Sequence, residues 1–186
     1  MNEQSDDQKT FERAIFKGEI LALTSDSEVN EALNLLKNCG PIGFDTETKP
    51  SFKKGEFYHV SLLQLASEDH ALLIRLHFLK DFSRIIEFFE DESVIKVGLA
   101  IRDDIKALQK LFPFQPKNFI ELTDLAKKKK LKNMGLKGMS EEVLNLTLSK
   151  RAKLSNWEAR DLKPDQLQYA ATDAWIGRKL YQDLES

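Results

Sequence analysis

The sequence has little of three things: cysteine, charge of a single sign and long apolar runs. Its one cysteine, Cys39, excludes an internal disulfide framework and points to a reducing compartment, cytoplasmic or otherwise intracellular. There is no cysteine or histidine cluster, and with it no zinc signature. The 28 Lys and Arg against 30 Asp and Glu leave a formal net charge of −2, so no overall basic surface advertises a polyanionic partner. Any affinity for phosphates has to come from local patches and metal. Met1 to Lys9 is polar and acidic without an apolar core, which predicts neither a signal peptide nor a membrane span but a disordered lead-in over residues 1–12. The remainder of the 186 residues, at 41% hydrophobic and 31% charged overall, fits one globular domain over residues 13–186.

What is present centres on Ile42-Gly-Phe-Asp-Thr-Glu47. Ile42 and Phe44 are apolar at alternate positions, as in a buried strand, so Asp45 and Glu47 leave one face about 7 Å apart along the chain. Like charges so placed repel unless a cation sits between them, which suggests a hard divalent ion. Alone the triplet says little, because an Asp-x-Glu arises about once by chance in a chain of this length. A solvated strand end would look the same.

Along the chain, Ile20 to Thr24 is a short apolar run. Ser25 or Asp26 then caps a helix with Val29, Leu33, Leu35 and Leu36 at helical spacing, ended by Gly40 and Pro41. After the carboxylate strand comes a loop, Pro50 to Glu56, and then strands over Val60 to Ser67 and Ala71 to Leu76, predicting an antiparallel meander of three. From there the pattern alternates: a helix from Lys80 to Glu90, a strand from Val94 to Leu99, a helix from about Asp103 to Leu111, and a short strand near Phe119 and Ile120. Such alternation implies parallel pairing through right-handed crossovers. The expected fold is a mixed α/β sheet with helices on its faces.

Further carboxylates fall at telling places. Asp103 and Asp104 stand where a strand ends and a helix begins; one could serve as a cap, leaving the other for a site. Pro164 opens a long C-terminal helix in which Tyr169 and Asp173, four residues apart, share a face. Asp173 is flanked by Ala170, Ala171 and Ala174, and a charge buried among alanines needs a partner.

Together, Phe44-Asp-Thr-Glu-Thr48, Val97-Gly-Leu-Ala-Ile-Arg-Asp-Asp104, Leu154-Ser-Asn-Trp157 and Gln168-Tyr-Ala-Ala-Thr-Asp-Ala174 resemble the motifs of the DEDDy 3′-5′ exonucleases. The likeness is nearest to the Werner syndrome type of exonuclease domain and more distant to ribonuclease D, and it runs from about Glu19 to Leu184. It implies a ribonuclease H-like fold. It also implies Asp45, Glu47, Asp104 and Asp173 as ligands of two divalent cations, Mg²⁺ or Mn²⁺, with Tyr169 as the signature tyrosine. Relatives often have glycine where this chain has Asp103, so aligning Gly98 and Leu108 assigns the ligand to Asp104. Nothing corresponds to the accessory helical domains of ribonuclease D, so a stand-alone domain is expected.

The implied activity is removal of nucleoside 5′-monophosphates from the 3′ end of nucleic acid, DNA favoured over RNA. A catalytically silent nucleic-acid-binding module and a hydrolase of a small phosphate ester are the alternatives. Candidate substrate contacts are Thr48, Phe52, Lys53, Lys54, Lys153 and Trp157; Phe52 and Trp157 could stack on a terminal base or simply pack. Two basic runs, Lys127 to Lys130 with Lys132 and Lys137, and Lys150, Arg151 and Lys153, are candidates for tracking phosphates.

Overall fold

A computed structural model describes residues 10–186. Most of the expected lead-in, residues 1–9, lies outside the described residues. Its last residue, Glu12, is paired: β1 (Glu12–Arg13) lies parallel to β8 (Leu146–Thr147). The main sheet has six strands: β2 (Glu19–Leu23), β3 (Ile42–Thr48), β4 (Val60–Ala66), β5 (His70–Arg75), β6 (Lys96–Gly98) and β7 (Phe119–Glu121). Their spatial order is β2-β5-β4-β3-β6-β7. β3, β4 and β5 form the antiparallel meander, while β6 and β7 join β3 in parallel. The apolar run before the first helix is the edge strand β2, parallel to β5.

Among the described residues there are six α-helices: α1 (Asp26–Ala32), α2 (Ser83–Glu90), α3 (Ile101–Gln109), α4 (Leu122–Lys128), α5 (Leu136–Met139) and α6 (Pro164–Glu185). One face packs Val29 of α1, Phe89 of α2 and Leu108 of α3 against Phe44, Leu63 and Ile74. The other carries α6, with Ala170, Ala171 and Ala174 on the strands and Ile176 and Leu180 against α4. Among the described residues no helix is long and apolar enough to cross a membrane.

Boundaries moved where a distant side chain took the free backbone groups. Ser25 is the cap of α1, in a capping box with Glu28. Asp26 accepts hydrogen bonds from the backbone N–H groups of Lys80 and Asp81 (3.0 and 3.2 Å), so α2 starts at Ser83 rather than Lys80. α3 starts at Ile101, ahead of both aspartates, because Glu121 accepts from the N–H groups of Ala100 and Ile101 at 2.8 Å. Neither Asp103 nor Asp104 is the cap. Glu121 also accepts from Thr123 N at 3.1 Å, so one carboxylate from β7 serves two helix starts.

Candidate active site

The site forms because two elements approach too closely for a side chain between them. A Cβ on Gly43 would meet the carbonyl oxygen of Ala174 at 1.8 Å, so only glycine lets α6 cross β3 there. That crossing sets Asp173, the residue before Ala174, beside Asp45, two residues after Gly43. Alternation along β3 then brings Glu47 to the same face.

Asp45, Glu47, Tyr169 and Asp173 line one cavity of about 560 Å³, with Lys137, Lys150 and Lys153 on its walls. Burial, then Asp173 and Asp104, hold the Asp45 carboxyl well above its usual range. Burial, then Asp45 and Asp173, push Glu47 to about 9. Asp173 rises to about 7 through burial, resisted by a hydrogen bond from the Tyr169 hydroxyl and by Lys153. The phenol is itself pushed upward, by burial and by those carboxylates. Lys153 is the cation that opposes the shift in all three.

Asp104 stands apart. Thr46 points to the opposite face of β3 from Asp45 and Glu47, and its hydroxyl donates to Asp104 Oδ1 at 2.5 Å. Burial raises the Asp104 carboxyl and this bond lowers it, whereas Asp103, one residue away on α3, is exposed. Of the pair, only Asp104 is turned toward the strand.

The expected substrate contacts separate. Lys153 is at the cavity, but Thr48 is exposed at the end of β3, and Phe52, Lys53 and Lys54 are exposed on the following loop, outside the cavity's lining. Trp157 cannot stack on a base: it is 0% exposed, packed among Leu62, Leu73 and Ala170, with its ring 6.0 Å from that of Tyr169. It backs the tyrosine. The run Lys127 to Lys130 ends α4 and does not line the cavity, whereas Lys137 does. Thr46, Gly43 and Glu121 were missed; the glycine before the motif was a visible signal, the other two depend on contacts far along the chain.

A mixed sheet that ends in carboxylates beneath a crossing helix is the ribonuclease H-like architecture, with the motif order of the DEDDy group. The chain belongs to the 3′-5′ exonuclease family, which it matches over residues 20–186. It is 35% identical over 149 residues to the bifunctional 3′-5′ exonuclease/ATP-dependent helicase WRN of Mus musculus, covering 77% of this chain and 11% of that protein. Over 174 residues it is 37% identical to exonuclease 3′-5′ domain-containing protein 2 of Drosophila melanogaster, covering 89% of this chain and 30% of that one. Among solved structures, Escherichia coli RNase D, an exoribonuclease involved in structured RNA processing, superposes with a TM-score of 0.77 at 25% identity, over 90% of this chain and 45% of the other. The chain thus spans less than half the length of each of these relatives.

Exonucleases of this family act on nucleic acid and generally use divalent metal ions. The donor set here, carboxylates without sulfur or imidazole, suits a hard cation. The side chains as placed do not ring one: among the described residues no group of three or more Asp, Glu, His or Cys is arranged to hold a metal.

Proposed function

We propose that the chain is an intracellular 3′-5′ exonuclease that hydrolyses the terminal phosphodiester of nucleic acid, DNA in preference to RNA, and releases nucleoside 5′-monophosphates. The observation that carries this reading is the cluster Asp45, Glu47 and Asp173, in which burial raises every carboxyl, like charge adds to the rise at Asp45 and Glu47, and Lys153 is the cation opposing it. Such a cluster stores the attraction a divalent ion would satisfy. Asp45, Glu47, Asp104 and Asp173 would hold two, Mg²⁺ or Mn²⁺, which supply acidification of water and stabilisation of the leaving oxygen.

The protein's own groups do the rest. Water attacks the terminal phosphorus in line, the bond to the 3′-oxygen of the penultimate nucleotide breaks, and that oxygen takes up a proton. Tyr169, with its phenol held protonated, donates to Asp173 and would orient the water rather than remove its proton. Trp157 fixes the tyrosine ring from behind. Thr46 fixes the Asp104 carboxyl, and Lys153, with Lys137 and Lys150, offers charge to phosphates entering the cavity. Phe52, Lys53, Lys54 and Thr48 would meet the strand beyond it.

End-labelled DNA and RNA strands, incubated with Mg²⁺, Mn²⁺ or chelator, test the proposal through ladder polarity and released product. A ladder shortened from the 3′ end, absent in chelator, is expected. Undiminished cleavage in chelator would contradict the reading, as would binding without cleavage.

A further inference from the structure

The loop between β3 and β4, residues 49–59, has a feature that folding alone does not explain. Phe57 is 92% exposed and Phe52 80%, the two most exposed large apolar side chains among the described residues. Both forgo the burial that normally rewards a phenylalanine. The loop is not loose at its base: Lys49 pairs with Glu158 at 3.6 Å and lies 4.5 Å over the Tyr58 ring. Phe57 stands at the rim of a second cleft, of about 270 Å³, whose walls include Tyr58, His59, His77 and Phe82.

This cleft lies close to the carboxylate cavity. Its floor residue Ser61 donates to the carbonyl oxygen of Glu47 at 3.3 Å, and Val60 pairs with Thr48, so cleft and carboxylate cavity flank the same strand end. Lys53 and Lys54 are exposed between the two phenylalanines and engage in no ion pair among the described residues. Flat aromatic surface beside free positive charge fits a single strand, whose bases stack and whose phosphates pair with lysine. An apolar protein surface would gain from the phenylalanines but leave the lysines unpaired.

We propose that an unpaired nucleotide upstream of the 3′ end stacks on Phe57 at this cleft, so that the chain grips a single-stranded tail and disfavours a blunt duplex end. The inference deepens the nuclease reading and rests on it for the direction of the strand. Its test is fluorescence anisotropy with 5′-labelled DNA and RNA strands from two up to about 12 nucleotides, the range of site sizes of such platforms, in chelator so that nothing is cut. Phe57→Ala should weaken the longest strands about tenfold and leave the dinucleotide, too short to reach the cleft, unchanged; Phe57→Trp should restore binding. Because the side chain is exposed, an unchanged melting temperature should accompany the loss. Equal affinity of wild type and Phe57→Ala at every length would overturn the proposal, as would a wild-type dimer that Phe57→Ala dissociates, which would give the surface to a second copy. A chain that binds long strands through Phe57 yet cuts none would refute the nuclease reading and leave this one standing. Cleavage indifferent to Phe57 would do the reverse.

Discussion

The charge on the two faces of the sheet is treated in opposite ways. On the α2 side of the sheet, Lys96 is 0% exposed among phenylalanines, yet its ammonium donates to the carbonyl oxygens of Asp91 (2.8 Å) and Phe88 (3.4 Å) and lies 5.1 Å from the Phe119 ring. It closes the C-terminal end of α2, where free carbonyls favour a cation. At the α6 side, Asp45, Glu47 and Asp173 are crowded together and share one opposing cation, Lys153. A buried charge whose hydrogen bonds are met locally is structure. Like charges crowded together with one opposing cation are where a ligand's positive charge would be felt most, which is why perturbed carboxyls mark function.

Substitutions should separate the two faces, and the largest effect should come from the carboxylates. Asp45→Ala and Asp104→Ala should each lower single-turnover cleavage by about 10³-fold or more, the scale on which removal of a transition-state electrostatic group is felt. Asp103→Ala should retain most activity, because its side chain is exposed. The reverse order within the pair would move the ligand to Asp103. Next comes Tyr169→Phe, which keeps the ring against Trp157 and removes the hydroxyl: turnover should fall about 10²-fold with strand affinity unchanged. Near-full turnover would make the tyrosine packing. A smaller loss is expected of Thr46→Val, about tenfold, expressed as a higher metal concentration for half-maximal rate, since groups that orient ligands act at that scale.

Stability should move in opposite directions on the two faces. Lys96→Met should cost about 1–3 kcal/mol in denaturant unfolding by leaving carbonyls unpaired, with turnover unchanged. Glu47→Gln should do the opposite, raising stability in chelator while cleavage is lost. The pH dependence follows from the same shifts. Glu47 rises from 4.5 to about 9 and Asp173 from 3.8 to about 7 on folding, so the folded state holds more protons between those limits. Their contribution is fully present below about pH 4 and is lost as pH climbs to about 9. Lys96 is lowered from 10.5 to about 8, so the unfolded chain holds the extra proton and stability gains between about 8 and 10.5, a gain that Lys96→Met removes. Melting curves in chelator across this range would show both, and a flat profile would contradict the crowding.

The sheet and the long helix were legible because their patterns are local. Alternation gave the meander, helical spacing gave α1 and α6, and the motifs put Asp45, Glu47, Tyr169 and Asp173 at one place. What was hidden depends on partners far along the chain. Glu121 caps α3 from 20 residues away, Asp26 shortens α2 from 54 residues before it, and β2 finds β5 across the whole meander. Trp157 misled for a related reason: an aromatic residue before a motif looks the same whether it faces the strand end or the core. The lysines of α4 were likewise visible as a run, while the direction of the run was not, and Lys137, Lys150 and Lys153 hold the positions at the cavity instead.

If the crowded carboxylates are a metal site, they should bind a divalent ion on their own. Titrating Mn²⁺ into the protein at neutral pH, with bound ion followed by electron paramagnetic resonance, tests that without reference to any substrate. Saturable binding is expected in the wild type, with a marked loss in Asp45→Asn and Asp104→Asn and binding near that of wild type in Asp103→Asn and Lys96→Met. Binding that is absent in the wild type, or that survives Asp45→Asn unchanged, would contradict that expectation.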